Sequence, residues 1–153
     1  MSAEQRVLDL GLDLPTPPKA AGNYVPGVQT GNLLFLSGCV PKHADGSTVT
    51  GKLGSDLDVA QGYDAARLAG LGMLARIRLV AGSLDRIARI VKVLGMVNAA
   101  PDFIQQPKVI DGFSDLMAEV FGELARGARA AVGMATLSGG AAVEIEMVVE
   151  LKP

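Results

Sequence analysis

Arg129 and Glu144 place one cation and one carboxylate on two segments that read as paired strands. A guanidinium is a planar fork that grips a carboxylate through two charge-assisted hydrogen bonds. Gly127, Ala128, Ala130 and Ala131 leave space beside that fork. The plainer alternative is a surface ion pair at a strand start, and residue type alone favours it. Glu144 shares its strand face with Glu146 and Glu150, and three carboxylates at period two ordinarily mark a solvated face.

The elements that must position this pair are legible as periodicity. Arg129 opens an apolar run ending at Leu137, Ser138-Gly139-Gly140 supplies a turn, and Ala141 to Leu151 alternates with Val143, Ile145, Met147, Val149 and Leu151 on one face. The pattern predicts a hairpin in which Leu137 faces Ala142, Ala135 faces Glu144 and Arg129 faces Glu150. Six residues at about 3.3 Å would then hold Arg129 and Glu144 roughly 20 Å apart along the strands. If both serve one small substrate, the site must lie between subunits.

Other chemistries are poorly supplied. His43 and Cys39 are the only residues of their type, so no His/Cys metal set is expected, and a hydroxyl or thiol nucleophile would have to use a loop histidine. Gly70-Leu71-Gly72 falls inside a helical pattern rather than after a strand, so neither a dinucleotide nor a phosphate-loop fingerprint is present and no cofactor is implied. With a net charge of −2 and no cluster of Lys and Arg, the chain offers no footprint for a nucleic-acid backbone. No apolar run has membrane-spanning length, and Met1 to Leu14 carries acidic residues where a signal peptide would carry a cationic start. The single Cys39 fits a reducing compartment, and a cytoplasmic location is expected. Aromatic residues make up 4% with no Trp, so the core must be built from aliphatic side chains, Ala and Gly.

At 153 residues, 49% of them hydrophobic, the chain is expected to form an N-terminal arm over 1–20 and one domain over 21–153. Strands are predicted near Tyr24 to Thr30 and Leu33 to Ser37, joined at Thr30-Gly31-Asn32. Ser55 and Asp58 suit the cap of a helix that runs to about Ala81 and stops at Gly82. Ile87 to Val97 is apolar on both faces apart from Arg89 and Lys92, as for a central strand covered on both sides, running parallel to an earlier strand through a helical crossover. Pro107 opens a second amphipathic helix marked by Ile110, Phe113, Met117, Val120 and Leu124. The order is ββαβαββ, an α+β domain of mixed sheet with both helices on one face.

The residues also resemble a known family. Arg129-Ala130-Ala131-Val132 followed by Val143-Glu144-Ile145-Glu146, the block Asn23-Tyr24-Val25-Pro26-Gly27-Val28, the run Gly31 to Gly38, Pro41 and Asp102-Phe103 are similar to the YjgF/RidA family of reactive-intermediate deaminases, also called L-PSP endoribonucleases. The segments Leu14 to Pro18, Gly51 to Gly54 and Gln106 to Ile110 resemble a longer-chain branch of it. The resemblance implies a chorismate-mutase-like fold, a homotrimer around a central barrel of sheets, and hydrolysis of 2-imino acids to 2-keto acids and ammonia. It gives Arg129 the substrate carboxylate and Glu144, from a neighbouring chain, the attacking water. Tyr24 closes the pocket, Ser37 and Gly38 lie near the substrate, and Ala131 contributes backbone groups. Asp111 stands where the family commonly has Asn, placing an anion near a site for anionic substrates. Two other functions are carried forward: a non-catalytic binder of small carboxylates, and a ribonuclease, which the acidic balance disfavours.

Overall fold

The computed structural model describes all 153 residues. Its elements are α1 (Ala3–Asp9), β1 (Gly27–Thr30), β2 (Leu33–Cys39), α2 (Val59–Ala81), β3 (Ile87–Asn98), α3 (Gln106–Phe121), β4 (Ala128–Met134) and β5 (Val143–Leu151). The ββαβαββ order is present, with one short helix ahead of it. Asp58 caps α2 reciprocally: its carboxylate accepts from the Gln61 N–H, and the Gln61 side chain accepts from the Asp58 N–H. Gly82 ends that helix in the left-handed conformation at φ 84°, which costs a glycine little. Pro107 lies in the first turn of α3, where its missing N–H is no loss. No helix is long and apolar enough to cross a membrane.

The sheet order is β1-β2-β5-β3-β4, antiparallel except for β3 beside β4. Since β2 and β3 both run antiparallel to β5, they are parallel to each other, as the crossover through α2 requires, with β5 inserted between them. The predicted hairpin of the last two strands does not form. β4 pairs with β3, placing Arg129 beside Val93, whereas Glu144 lies beside Met96 and Glu150 beside Arg89. The Ser138–Gly140 turn instead carries the chain past the end of β3: Ala141 bridges to Thr50, and the Ala142 carbonyl accepts the Asn98 N–H as β5 begins. Helix α3 is the physical reason, because a strand entered from a helical crossover lies most readily parallel to the strand before it.

Both helices cover one face, where Ile90, Val93 and Val97 of β3 meet Ile145, Met147 and Val149 of β5 and the apolar sides of α2 and α3. Glycine sets the approach of the two helices: Gly112 of α3 lies against the backbone of Tyr63, and Gly70 of α2 lies against Leu116 and Phe113. The other face is bare, so the expectation that β3 is covered on both sides fails for the single chain. Across that face runs the row Val28, Phe35, Val148 and Lys92, and beside it Glu146, Leu94 and Ala130. They line a hollow of about 400 Å³, with Phe35 46% and Val28 56% exposed.

Residues 1–20 are more than an arm. Val7 belongs to the core, and the Glu4 carboxylate accepts from Arg78, Ser83 and the Leu84 N–H while the Glu4 N–H donates to Asp85. Burial opposes the charge on Glu4, but the bonds from Arg78 and Leu84 outweigh it and hold the carboxyl below its ordinary 4.5. Asp85 is likewise lowered: burial opposes, and the Glu4 N–H, the Ser2 side chain and the Ala3 N–H prevail. Groups lowered by folding contribute stability that is full above the ordinary carboxylate range and lost as pH falls through their folded values. Acidification from pH 6 to pH 3 is therefore expected to undock α1 first. Hydrogen exchange should show residues 3–9 losing protection before β3 and β5 do; simultaneous loss would contradict it.

Candidate functional site

The sequence-derived candidates gather into two clusters on opposite faces of the sheet. The first lies on the helix side of β4. Arg129 projects there because its neighbour Val93 faces the helices, and α3 meets it with Asp111 and Ser114, one helical turn apart. Nη1 of Arg129 donates to Asp111 Oδ1 at 2.8 Å and to Ser114 Oγ at 3.0 Å. Asp111 thus stands against the guanidinium itself. Nε and Nη2 donate to nothing in the chain, and Asp111 Oδ2 accepts nothing. The side chain of Arg129 is 27% exposed and that of Asp111 48%. Ala131 is two residues along the same strand, beside Gly95. As β4 is an edge strand, part of its backbone N–H and C=O groups point away from β3 and are free for a ligand or a second chain.

The second cluster forms where β2 parts from β5 on the bare face. Leu36 pairs with Met147 and Cys39 with Ile145, so Ser37 and Gly38 together stand against one residue, Glu146, in a bulge. The partly buried Glu144 carboxylate rests on the flat side of Gly38: a Cβ there would overlap Oε1 and lie 3.0 Å from Cδ. It makes no hydrogen bond within the chain, so its acceptors are open to water. The Ser37 hydroxyl donates to the Val25 carbonyl at 2.7 Å, tying the bulge to the segment that carries Tyr24. Tyr24 itself precedes β1 rather than opening it and is 54% exposed.

Sequence reasoning missed two contributors. Ser114 could have been found from its i+3 spacing to Asp111 on one helix face. Arg76, one of three arginines on α2, reaches under the bulge, where Nη1 donates to the Ser37 carbonyl at 2.5 Å and the Gly38 carbonyl at 2.8 Å. It satisfies two carbonyls that the bulge takes out of the ladder. The neighbouring Cys39 is buried, and burial pushes its thiol above the ordinary range, with Arg76 opposing and Glu144 reinforcing the shift. A raised thiol pKa argues against a nucleophilic role for it. His43 lies in the 43–47 turn, bonded by its backbone to Ser47. No three His, Cys, Asp or Glu side chains converge as a metal set.

Arg129 and Glu144 thus remain apart within one chain, although not for the predicted reason. Val93 and Met96 mark their positions, three residues or about 10 Å along the sheet, and two strand spacings of about 4.8 Å lie between β4 and β5, so their backbones are roughly 14 Å apart. Their side chains also leave opposite faces.

A five-stranded mixed sheet with two helices on one face, a β2 bulge under a β5 glutamate and an arginine on the edge strand define an α+β domain of chorismate-mutase-like type. The family model described as "YjgF/chorismate_mutase-like, putative endoribonuclease" matches residues 4–143, and the chain belongs to that family. It is 45% identical over 143 residues to Protein TCP17 of Trypanosoma cruzi, covering 93% of this chain and 89% of that one. Among solved structures it is similar to the protein Atu1372, of unknown function, from Agrobacterium tumefaciens, with 43% identity, TM-score 0.89, and coverage of 98% of this chain and 92% of that chain. It is also similar to E. coli TdcF with bound serine, with 25% identity, TM-score 0.65, and coverage of 90% and 94%.

Proposed function

We propose that the protein is an imine/enamine deaminase that hydrolyses 2-imino acids to 2-keto acids and ammonia in clefts between the subunits of a homotrimer. The observation that carries this reading is the complementarity of the two clusters. Arg129 keeps free donors at a sheet edge, Glu144 keeps free acceptors over a glycine on the opposite face, and neither can reach the other's ligand within one chain. The bare face, with Val28, Phe35, Val132 and Met134 exposed, supplies the apolar surface for assembly. In the proposed trimer that face is the one shared between subunits, and the Glu144 cluster of one subunit adjoins the β4 edge of the next. Membership in a family whose member TdcF holds serine, a small α-substituted carboxylic acid, supports a ligand of that size and charge.

In this reading the free edge of Arg129 holds the substrate carboxylate, and backbone groups near Ala131 border the imine. Glu144 of the adjoining subunit accepts a hydrogen bond from water and draws a proton from it as its oxygen attacks the C=N carbon. Starting from the protonated imine, the carbinolamine nitrogen takes up that proton to become an ammonium group, the C–N bond breaks with ammonia leaving as the carbinol oxygen closes to a keto group, and the proton of that oxygen passes through Glu144 to the departing ammonia. Such hydrolysis proceeds in water unaided, so orientation and charge placement suffice as catalysis and no cofactor is needed. A cytoplasmic location accords with the lone buried thiol.

The test is the rate of keto-acid release from enzymatically generated 2-imino acids of graded side-chain size. Wild-type protein is expected to accelerate it, and Arg129→Ala to remove the acceleration; equal rates for the two would remove the mechanism. A second reading is a non-catalytic carboxylate binder, in which Asp111 against Arg129 marks a loss of turnover. Carboxylate binding without any acceleration would select it.

A further inference from the structure

Asp111 and Arg129 form more than a clamp for one negative charge. Only Nη1 of the guanidinium and Oδ1 of the carboxylate are engaged with each other, at 2.8 Å, and Ser114 Oγ fixes the geometry by accepting from the same Nη1. Outward from that contact the pair presents cationic donors, Nε and Nη2, directly beside an anionic acceptor, Oδ2. With opposite charges held in contact and partly exposed, the pair has no net charge to offer a simple anion. A ligand carboxylate drawn to the fork meets the Asp111 carboxylate at nearly the same range, and the attraction is largely offset. The offset turns into a second attraction when the ligand carries a cationic nitrogen on the carbon next to its carboxylate.

We propose that the Arg129–Asp111 pair selects a zwitterionic ligand, a carboxylate with a cationic nitrogen on the adjacent carbon, over the corresponding net anion. This rests on the reading of the site as one for small carboxylates and specifies the charge state that it takes. For a 2-imino acid the matching form is the protonated imine, which is also the form most open to attack by water. Asp111 Oδ2 accepts a hydrogen bond from the iminium N–H while Nε and Nη2 of Arg129 hold the carboxylate. Hydrolysis removes the cationic nitrogen as ammonium and leaves a 2-keto acid of net charge −1, which the pair no longer favours. The same two residues therefore admit substrate and discharge product. Aspartate in place of the amide common at this position becomes a selectivity device rather than a defect of the site.

The experiment is calorimetric titration of L-alanine and L-lactate, which share a carbon skeleton and differ by an ammonium against a hydroxyl, into wild-type, Asp111→Asn and Arg129→Ala protein. Wild type is expected to bind alanine on the order of tenfold more tightly than lactate, and Asp111→Asn to reverse the order, weakening alanine and tightening lactate. Lactate binding as tightly as alanine in wild type, or a preference that survives Asp111→Asn, overturns the charge selection while leaving a carboxylate site in place. If neither compound binds, or if both bind Arg129→Ala as they bind wild type, the carboxylate site itself is wrong and the selectivity falls with it.

Discussion

Subunits carrying Arg129→Ala mixed with subunits carrying Glu144→Gln are expected to recover about a quarter of the wild-type rate of imine hydrolysis, from two proteins that each retain on the order of 1% of it or less. Removal of the fork abolishes the grip on the substrate carboxylate. An amide at 144 keeps the shape but loses the basicity that activates water, a loss typically worth about a hundredfold or more. Neither variant changes a core residue, so both should assemble. If each site takes Arg129 from one chain and Glu144 from the next, random mixing in equal amounts leaves one junction in four with both native residues. If one chain supplied both groups, every site in every mixture would carry a defect and no activity would return. The measurement is the initial rate after the two variants are unfolded together and refolded, against each refolded alone, with light scattering to show that the mixture is trimeric. Recovery near a quarter supports the shared site; no recovery by trimeric mixtures places the chemistry elsewhere.

How much of this arrangement was legible in sequence depends on the range of the interaction. The cap at Asp58, the stop at Gly82, the Gly31-Asn32 hairpin turn and the apolar faces of both helices are local signals and were readable to within a residue or two. Strand neighbours are not local. Val143 to Leu151 shows clean alternation, which states that one face is buried but not which strand lies beside it, and the Ser138-Gly139-Gly140 turn made β4 the obvious partner. The chain instead spends that turn crossing the end of β3, so β5 sits between β2 and β3. The bare face had the same ambiguity: Leu94, Met96 and Phe35 read as core whether helices or another subunit cover them. At the site, residue types suggested Arg129, and the family resemblance was needed to single out Glu144 from Glu146 and Glu150. Their partners Ser114 and Arg76 went unnoticed, because contacts between α3 and β4 and between α2 and a bulge depend on register that no single segment encodes.

Two glycine-to-alanine changes should separate the structural from the chemical use of close approach. At Gly112 a Cβ would overlap the carbonyl oxygen of Tyr63 and lie 2.8 Å from its carbon, which is helical backbone in the second turn of α2 and cannot yield alone. Alanine is the better helix former by about 1 kcal/mol, but overpacking a rigid contact costs about 3 kcal/mol at the upper end of its usual range, so a net loss of about 2 kcal/mol is expected. For a chain of this size that is roughly 6 °C in Tm. At Gly38 the intruding Cβ meets the end of the Glu144 side chain, which can rotate away, and Gly38 does not occupy a left-handed conformation. Gly38→Ala should therefore melt within about 2 °C of wild type, since the change falls in the class worth no more than about 0.5 kcal/mol. Turnover should nonetheless fall about a hundredfold, because the displaced carboxylate no longer meets the water it must orient. Thermal melts and initial rates on both variants decide it. A Gly38→Ala protein with native melting and native turnover would show that the seat of Glu144 over the β2 bulge has no part in the chemistry, and a Gly112→Ala protein as stable as wild type would show that the α2–α3 contact yields more readily than two packed helix backbones should.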